Sequence, residues 1–135
     1  MFRSEGLGEE IGDAFARRNP QMALASMRFN GMWDDRYFNQ LRDNPISDPW
    51  TRCQGFWTYV HIRDAARACV VAITNRDWLG HHRFFLNAQD TMLSIPTLEA
   101  LATVYPDVPL NTELPEFTSP ISTQHVTDII GWQPE

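Results

Sequence analysis

Phe56-Trp57-Thr58-Tyr59-Val60-His61-Ile62-Arg63-Asp64-Ala65-Ala66-Arg67-Ala68 decides the fold. Its first seven residues are mostly aromatic or β-branched, which predicts a strand over 56–62. Small residues follow, suited to close packing of a helix over 65–73 on a sheet. Asp64 stands where a helix N-terminus favours a negative charge. A strand that runs straight into a helix is the repeating unit of an α/β layer architecture.

The flanking sequence repeats that alternation. Leu7, Ile11, Ala14 and Phe15 fall on one helical face, with Ser4 as cap. Glu9, Glu10 and Asp13 come early and Arg17 and Arg18 late, an order that complements the helix dipole. Asn19-Pro20 ends this helix. Residues 22–29 form a nearly continuous apolar run, as in a strand covered on both faces. A short helix is expected over 34–42, starting at Asp34-Asp35, with Tyr37, Phe38 and Leu41 inward, then a loop at 44–49. A further strand spans 83–88. Thr97 caps a helix carrying Leu98, Leu101 and Val104, and Tyr105-Pro106 stops it. Residues 107–120 are a proline-rich connection with room for one short edge strand. Ser122 begins the last helix, with Val126, Ile129 and Ile130 apolar and Gly131 at its stop.

With 135 residues the sequence amounts to one domain over 1–135, large enough for one core. A hydrophobic content of 43% and a charged content of 21% are those of a soluble globular protein. The net charge of −6 and the scattered basic residues argue against nucleic acid as a partner. No apolar run approaches the roughly 20 residues of a spanning helix, so a membrane role is not expected. The opening residues have no signal-peptide pattern, and Cys53 and Cys69 make no disulfide framework. The cytoplasm is the expected location.

Five pieces in order carry a resemblance: Met27-Arg28-Phe29, residues 59–68, Phe85-Leu86-Asn87-Ala88, Val104-Tyr105-Pro106-Asp107 and Ile130-Gly131-Trp132-Gln133-Pro134. Together they resemble the C-terminal part of the NAD-dependent epimerase/dehydratase family, the extended short-chain dehydrogenases. The resemblance implies the C-terminal portion of a doubly wound Rossmann-like fold with its small substrate-binding subdomain. It implies NAD or NADP as cofactor of a full-length relative, and a sugar nucleotide or related carbonyl compound as substrate.

The departures from that pattern concern chemistry. No Gly-x-Gly-x-x-Gly or Gly-x-x-Gly-x-x-Gly occurs, so no cofactor is expected to bind this chain alone. Alignment on the family's Tyr-x-x-x-Lys pair sets Met1 on the tyrosine and Glu5 on the lysine. Methionine has no proton to give, and glutamate raises a nearby phenol's pKa instead of lowering it. Trp33-Asp34-Asp35 replaces the family's Gly-Pro, Asn30 stands one place before the family asparagine, and Arg63 replaces the first aspartate of Asp-Asp. The chain therefore reads as a truncated frame or one part of a split enzyme. Activity of the isolated chain is not expected.

Ligands of a doubly wound sheet bind at the carboxyl ends of its strands. That rule selects Arg28, Asn30, Trp33 and His61 as candidate substrate-binding residues. Arg28 either holds an anionic group or pairs with a carboxylate of the fold. His61 either meets substrate or packs as a structural histidine. Asp64 is a helix cap. His81-His82 resembles half a metal site without its partner motif and reads as a solvated turn. Ser119 and Ser122 lack a nucleophile-elbow context. No catalytic residue and no metal ligand is assigned. Exposed apolar faces of the first helix and of residues 22–29 point to self-association or to pairing with a separate cofactor-binding chain. The alternative is a free-standing, non-catalytic module for a small molecule or a protein.

Overall fold

The computed structural model describes residues 3–110 and 113–135, with the side chains of residues 3–5 excepted. The expectations for Met1, the Glu5 side chain and the Ser4 cap lie outside the described residues. The chain is α/β, with helices around two small parallel β-pairs. Its elements are α1 (Arg3–Arg18), β1 (Ala23–Phe29), β2 (Gly31–Trp33), α2 (Asp35–Asp43), β3 (Tyr59–His61), α3 (Ile62–Thr74), β4 (Gly80–Leu86), α4 (Thr97–Val104) and α5 (Gln124–Ile130).

β1 pairs in parallel with β4, from Ala23 opposite Gly80 to Phe29 opposite Leu86. β2 pairs in parallel with β3, from Gly31 opposite Tyr59 to Trp33 opposite His61. Ala88, just beyond β4, donates its N–H to Tyr59 O at 2.6 Å. β3 thus wedges between β2 and the continuation of β4. Among the described residues, no further strand adds to either pair.

Two cores form. One joins α3, β4 and α5 through Ala68, Ala72, Trp78, Phe84, Leu86, Val126, Ile130 and Trp132. Trp132 is fully buried and donates its indole N–H to Asp64 O at 3.2 Å. The second joins Ile46, Cys53, Trp57 and Leu93 to Ala100 and Leu101 of α4.

Several elements differ from the sequence expectation. The strand at 56–62 shrinks to three residues. Phe56 and Trp57 take left-handed backbone at φ 53° and 55°, after a short 3-10 turn over Cys53–Gly55. This bend drives the Trp57 indole into the second core, where its N–H reaches Pro49 O at 2.9 Å. β1 is not covered on both faces, since Ala23 and Ala25 are exposed. β4 starts three residues early and absorbs His81 and His82, because Gly80 at φ 88° turns the chain into it. Asp64 is no cap. It lies inside α3, buried, and receives Arg67 at 2.6 Å, while His61 caps the helix. Thr97 is the first residue of α4, and Pro96 holds the cap position. Ser122 Oγ accepts from Gln124 N at 3.1 Å, one residue before the cap of α5. Among its described residues, the stretch at 107–120 contributes an antiparallel bridge, Thr118 to Asp90, and no edge strand. α2 buries none of its residues fully: Tyr37 and Phe38 pack on Trp33 and Tyr59 but stay partly exposed, and Leu41 packs against the second core. No described helix is long and apolar enough to cross a membrane.

Candidate functional site

An aromatic cleft of about 210 Å³ opens where β2 ends. It is lined by Trp33, Phe38, Tyr59, Arg42 and Asp90, with Leu41 and the run from Thr91 to Leu93. Trp33 and Tyr59 stack almost parallel, 5.0 Å between centroids at 3°. Phe38 meets Tyr59 edge-on at 5.6 Å, and the residue remains 39% exposed. Arg52 stands over Trp33 at 5.7 Å and over Tyr37 at 5.4 Å, and it also donates to the Tyr37 hydroxyl. Its own backbone is left-handed at φ 59°. Left-handed backbone at Arg52 thus stands beside the cleft wall, a conformation that often accompanies ligand sites.

The polar group in the cleft is a coupled pair. Tyr59 donates its hydroxyl to Asp90 Oδ1 at 2.7 Å. Burial first, and then the Asp90 carboxylate, push the Tyr59 phenol far above its ordinary value. It stays a neutral donor at every physiological pH. A planar aromatic wall, a fixed acceptor and cations at the rim suit a polar ring such as a sugar or a base.

The four candidates separate in space. Trp33 lines the cleft. His61 lies at its edge, 6.4 Å from the Phe38 ring. Both nitrogens of His61 are engaged: Nδ1 accepts from Arg63 N at 3.2 Å, and Nε2 faces Asp35 Oδ1 at 3.0 Å. His61 thus caps α3. Asn30 sits at the junction where pairing passes from β4 to β3, and its buried Nδ2 has no hydrogen-bond partner among the described residues. Arg28 does not line the cleft. It grips Glu9 with two bonds, Nε to Oε1 at 2.7 Å and Nη2 to Oε2 at 2.6 Å, and lies 4.9 Å over the Phe85 ring. Of the two readings open for Arg28, the structure shows the pairing with a carboxylate of the fold. Sequence reasoning missed Phe38, Tyr59, Arg52 and Asp90 as a set. Asp90 gives no local signal, because the fold brings it to Tyr59 across 31 positions.

α1 docks on the sheet through its polar side. Glu9 also takes Arg83 Nε at 2.9 Å, and Asp13 takes Arg83 Nη2. His81 Nδ1 meets Asp13 Oδ1 at 2.8 Å, and Nε2 accepts from the Ser26 hydroxyl at 2.8 Å. His81 is no solvated turn, since its side chain is 3% exposed. The Ser26–His81–Asp13 string has the order of a hydrolytic triad, but α1 lies over it. A Cβ on Gly12 would stand 2.6 Å from His81 Cε1. The string anchors a helix. Hydrogen bonds from Arg28 hold the Glu9 carboxyl below its ordinary range, and His81 and then Arg83 do the same for Asp13.

A dinucleotide pyrophosphate is bound by free N–H groups at a helix N-terminus after a glycine turn, and neither of the helices that directly follow β2 and β3 starts that way. α3 follows β3 with no intervening residue and is capped by His61. α2 is capped by Asp34, whose carboxylate accepts from Tyr37 N at 2.9 Å and repels an anion. The described residues also hold no group of three or more His, Cys, Asp or Glu fit for a metal ion. Comparisons of the chain with protein-family profiles, with curated proteins and with solved structures return no match.

Proposed function

We propose that this chain is the substrate-binding half of an NAD(P)-dependent epimerase, dehydratase or reductase acting on a sugar nucleotide or related carbonyl compound. In this reading it belongs to a doubly wound Rossmann-like fold whose cofactor half is a further α/β unit. Alone it binds substrate weakly and turns nothing over. The observation that carries the reading is the surroundings of β1. Parallel strands are normally members of larger sheets covered on both sides. Among the described residues β1 has one partner strand, and apolar surface is exposed both on the outer face of the helix that docks on it and in a groove alongside it. On one side, Leu7, Ile11 and Phe15 of α1 are 59%, 49% and 55% exposed. On the other, a groove of about 550 Å³ runs between Ala23, Ala25 and Met27 of β1 and Cys69, Ala72 and Ile73 of α3. Further parallel strands and their helices would cover these surfaces. The family resemblance supplies the chemical class, and the aromatic cleft at the end of β2 supplies a place for a ring.

The test is calorimetric titration of the chain with UDP-glucose and separately with NADH. Heat with the sugar nucleotide, lost in Phe38→Ala, and none with NADH is the expected pattern. Phe38 is half-exposed, so this variant keeps the fold. Micromolar binding of NADH, or sugar-nucleotide binding unchanged by Phe38→Ala, would overturn the assignment.

A further inference from the structure

The geometry points to a two-histidine site for a divalent transition ion, Zn²⁺ or one of its neighbours, formed by His82 of β4 and His125 of α5. These residues lie 43 positions apart, and the fold sets His82 Nδ1 3.3 Å from His125 Nε2. Tetrahedral Zn²⁺ with bonds of about 2.0–2.1 Å holds its nitrogen ligands about 3.3–3.4 Å apart. The observed spacing matches that edge. It is longer than the usual range of about 2.7–3.2 Å for an N–H hydrogen bond.

The surroundings prepare the pair for an ion. His82 Nε2 lies 3.1 Å from Leu79 O. A carbonyl only accepts, so Nε2 carries the proton and Nδ1 keeps its lone pair towards His125. This is the outer-shell arrangement that orients histidine ligands in metal sites. The rings are held as well. His82 stacks on Phe84 at 5.8 Å and 8°, and Trp78 meets its edge at 5.8 Å. His125 packs on Phe84 at 5.6 Å. Imidazole nitrogen suits Zn²⁺, Cu²⁺ and Ni²⁺, and the remaining positions go to water. With two protein ligands the site is open, and its ion exchanges readily. An ion there would staple the seven-residue α5 to β4, so binding and stability are coupled. The site stands apart from the cleft and holds whether or not the chain handles a sugar nucleotide.

The test uses the full chain and ZnCl₂ in competition with a chromophoric zinc indicator, together with thermal unfolding. One Zn²⁺ per chain and a Tm raised by several degrees is expected. His125→Phe keeps a ring on Phe84, and His125 is exposed, so this variant folds. It should lower zinc affinity at least tenfold and abolish the Tm shift, with the metal-free Tm little changed. His82→Gln should do the same to zinc, and Cu²⁺ bound to the wild type should show two nitrogen ligands by electron paramagnetic resonance. Absence of zinc stabilisation in the wild type, or zinc binding unchanged by both variants, would overturn the site.

Discussion

Alanine at position 12 and alanine at position 8 should change stability in opposite directions, although both glycines lie in α1. Replacing glycine by alanine inside a helix is favourable by about 0.8–1.0 kcal/mol. At Gly8 nothing lies within 4 Å of the added Cβ, so Gly8→Ala keeps that gain. At Gly12 the Cβ would meet His81 at 2.6 Å from Cε1, 2.8 Å from Nε2 and 3.0 Å from Nδ1. The ring cannot swing aside, because Asp13 and Ser26 hold its two nitrogens at 2.8 Å each. Overpacking of this kind costs about 1–3 kcal/mol, which exceeds the helix gain. The balance is a net loss of up to about 2 kcal/mol, or up to about 8 °C in Tm at roughly 4 °C per kcal/mol. Gly8→Ala should raise Tm by about 3–4 °C on the same scale. Urea and thermal unfolding of the two variants beside the wild type make the comparison. If Gly12→Ala stabilises as much as Gly8→Ala, α1 does not dock by its polar face and the His81 anchor is wrong.

Three other outcomes follow from the same contacts. Glu9 has a carboxyl held below its ordinary range by Arg28, so its contribution is present above the unfolded value of about 4.3. It is lost as pH falls through the folded value. Glu9→Gln should therefore lower Tm by a few degrees at pH 7 and flatten the further loss on acidification to pH 3. Arg28→Lys loses the two-pronged grip on Glu9 and should cost about 0.5–1 kcal/mol, small because the Arg28 side chain is 42% exposed. Ligand affinity in the cleft should not change with it. Tyr59 has a raised phenol pKa, so it adds stability in full below about pH 10 that is lost as pH rises further. Tyr59→Phe should shrink the alkaline loss of stability, followed by unfolding between pH 8 and 11.

Much of the fold was legible where the signal is local. Asp34 caps α2 and Gly131 ends α5 at φ 75° as their residue types predict, because capping and left-handed backbone are decided within a few residues. The apolar stripe of Leu7, Ile11 and Phe15 was also readable, and so was its exposure. The polar docking beneath it was not, since it depends on Ser26, Arg28, His81 and Arg83 meeting from two distant strands. Phe56 and Trp57 read as strand by composition. The demand for a buried indole bends them out of it, and burial of that kind is set by distant neighbours such as Leu101. Trp33 was placed near a ligand by the strand-end rule, and the structure puts it in the cleft. The same rule selected Arg28, but it does not say which face of the strand a side chain takes.

The most direct test of the proposed half-fold is sedimentation of the wild type and Ile11→Glu over a wide concentration range. Ile11 lies mid-stripe on α1 and is 49% exposed, so a charge there leaves the fold intact while spoiling the apolar surface. The wild type should associate, and Ile11→Glu should run as a monomer with an unchanged Tm. A wild type that stays a compact monomer at every concentration, binding no dye at exposed apolar surface, would contradict the claim that β1 and α1 await a second α/β unit.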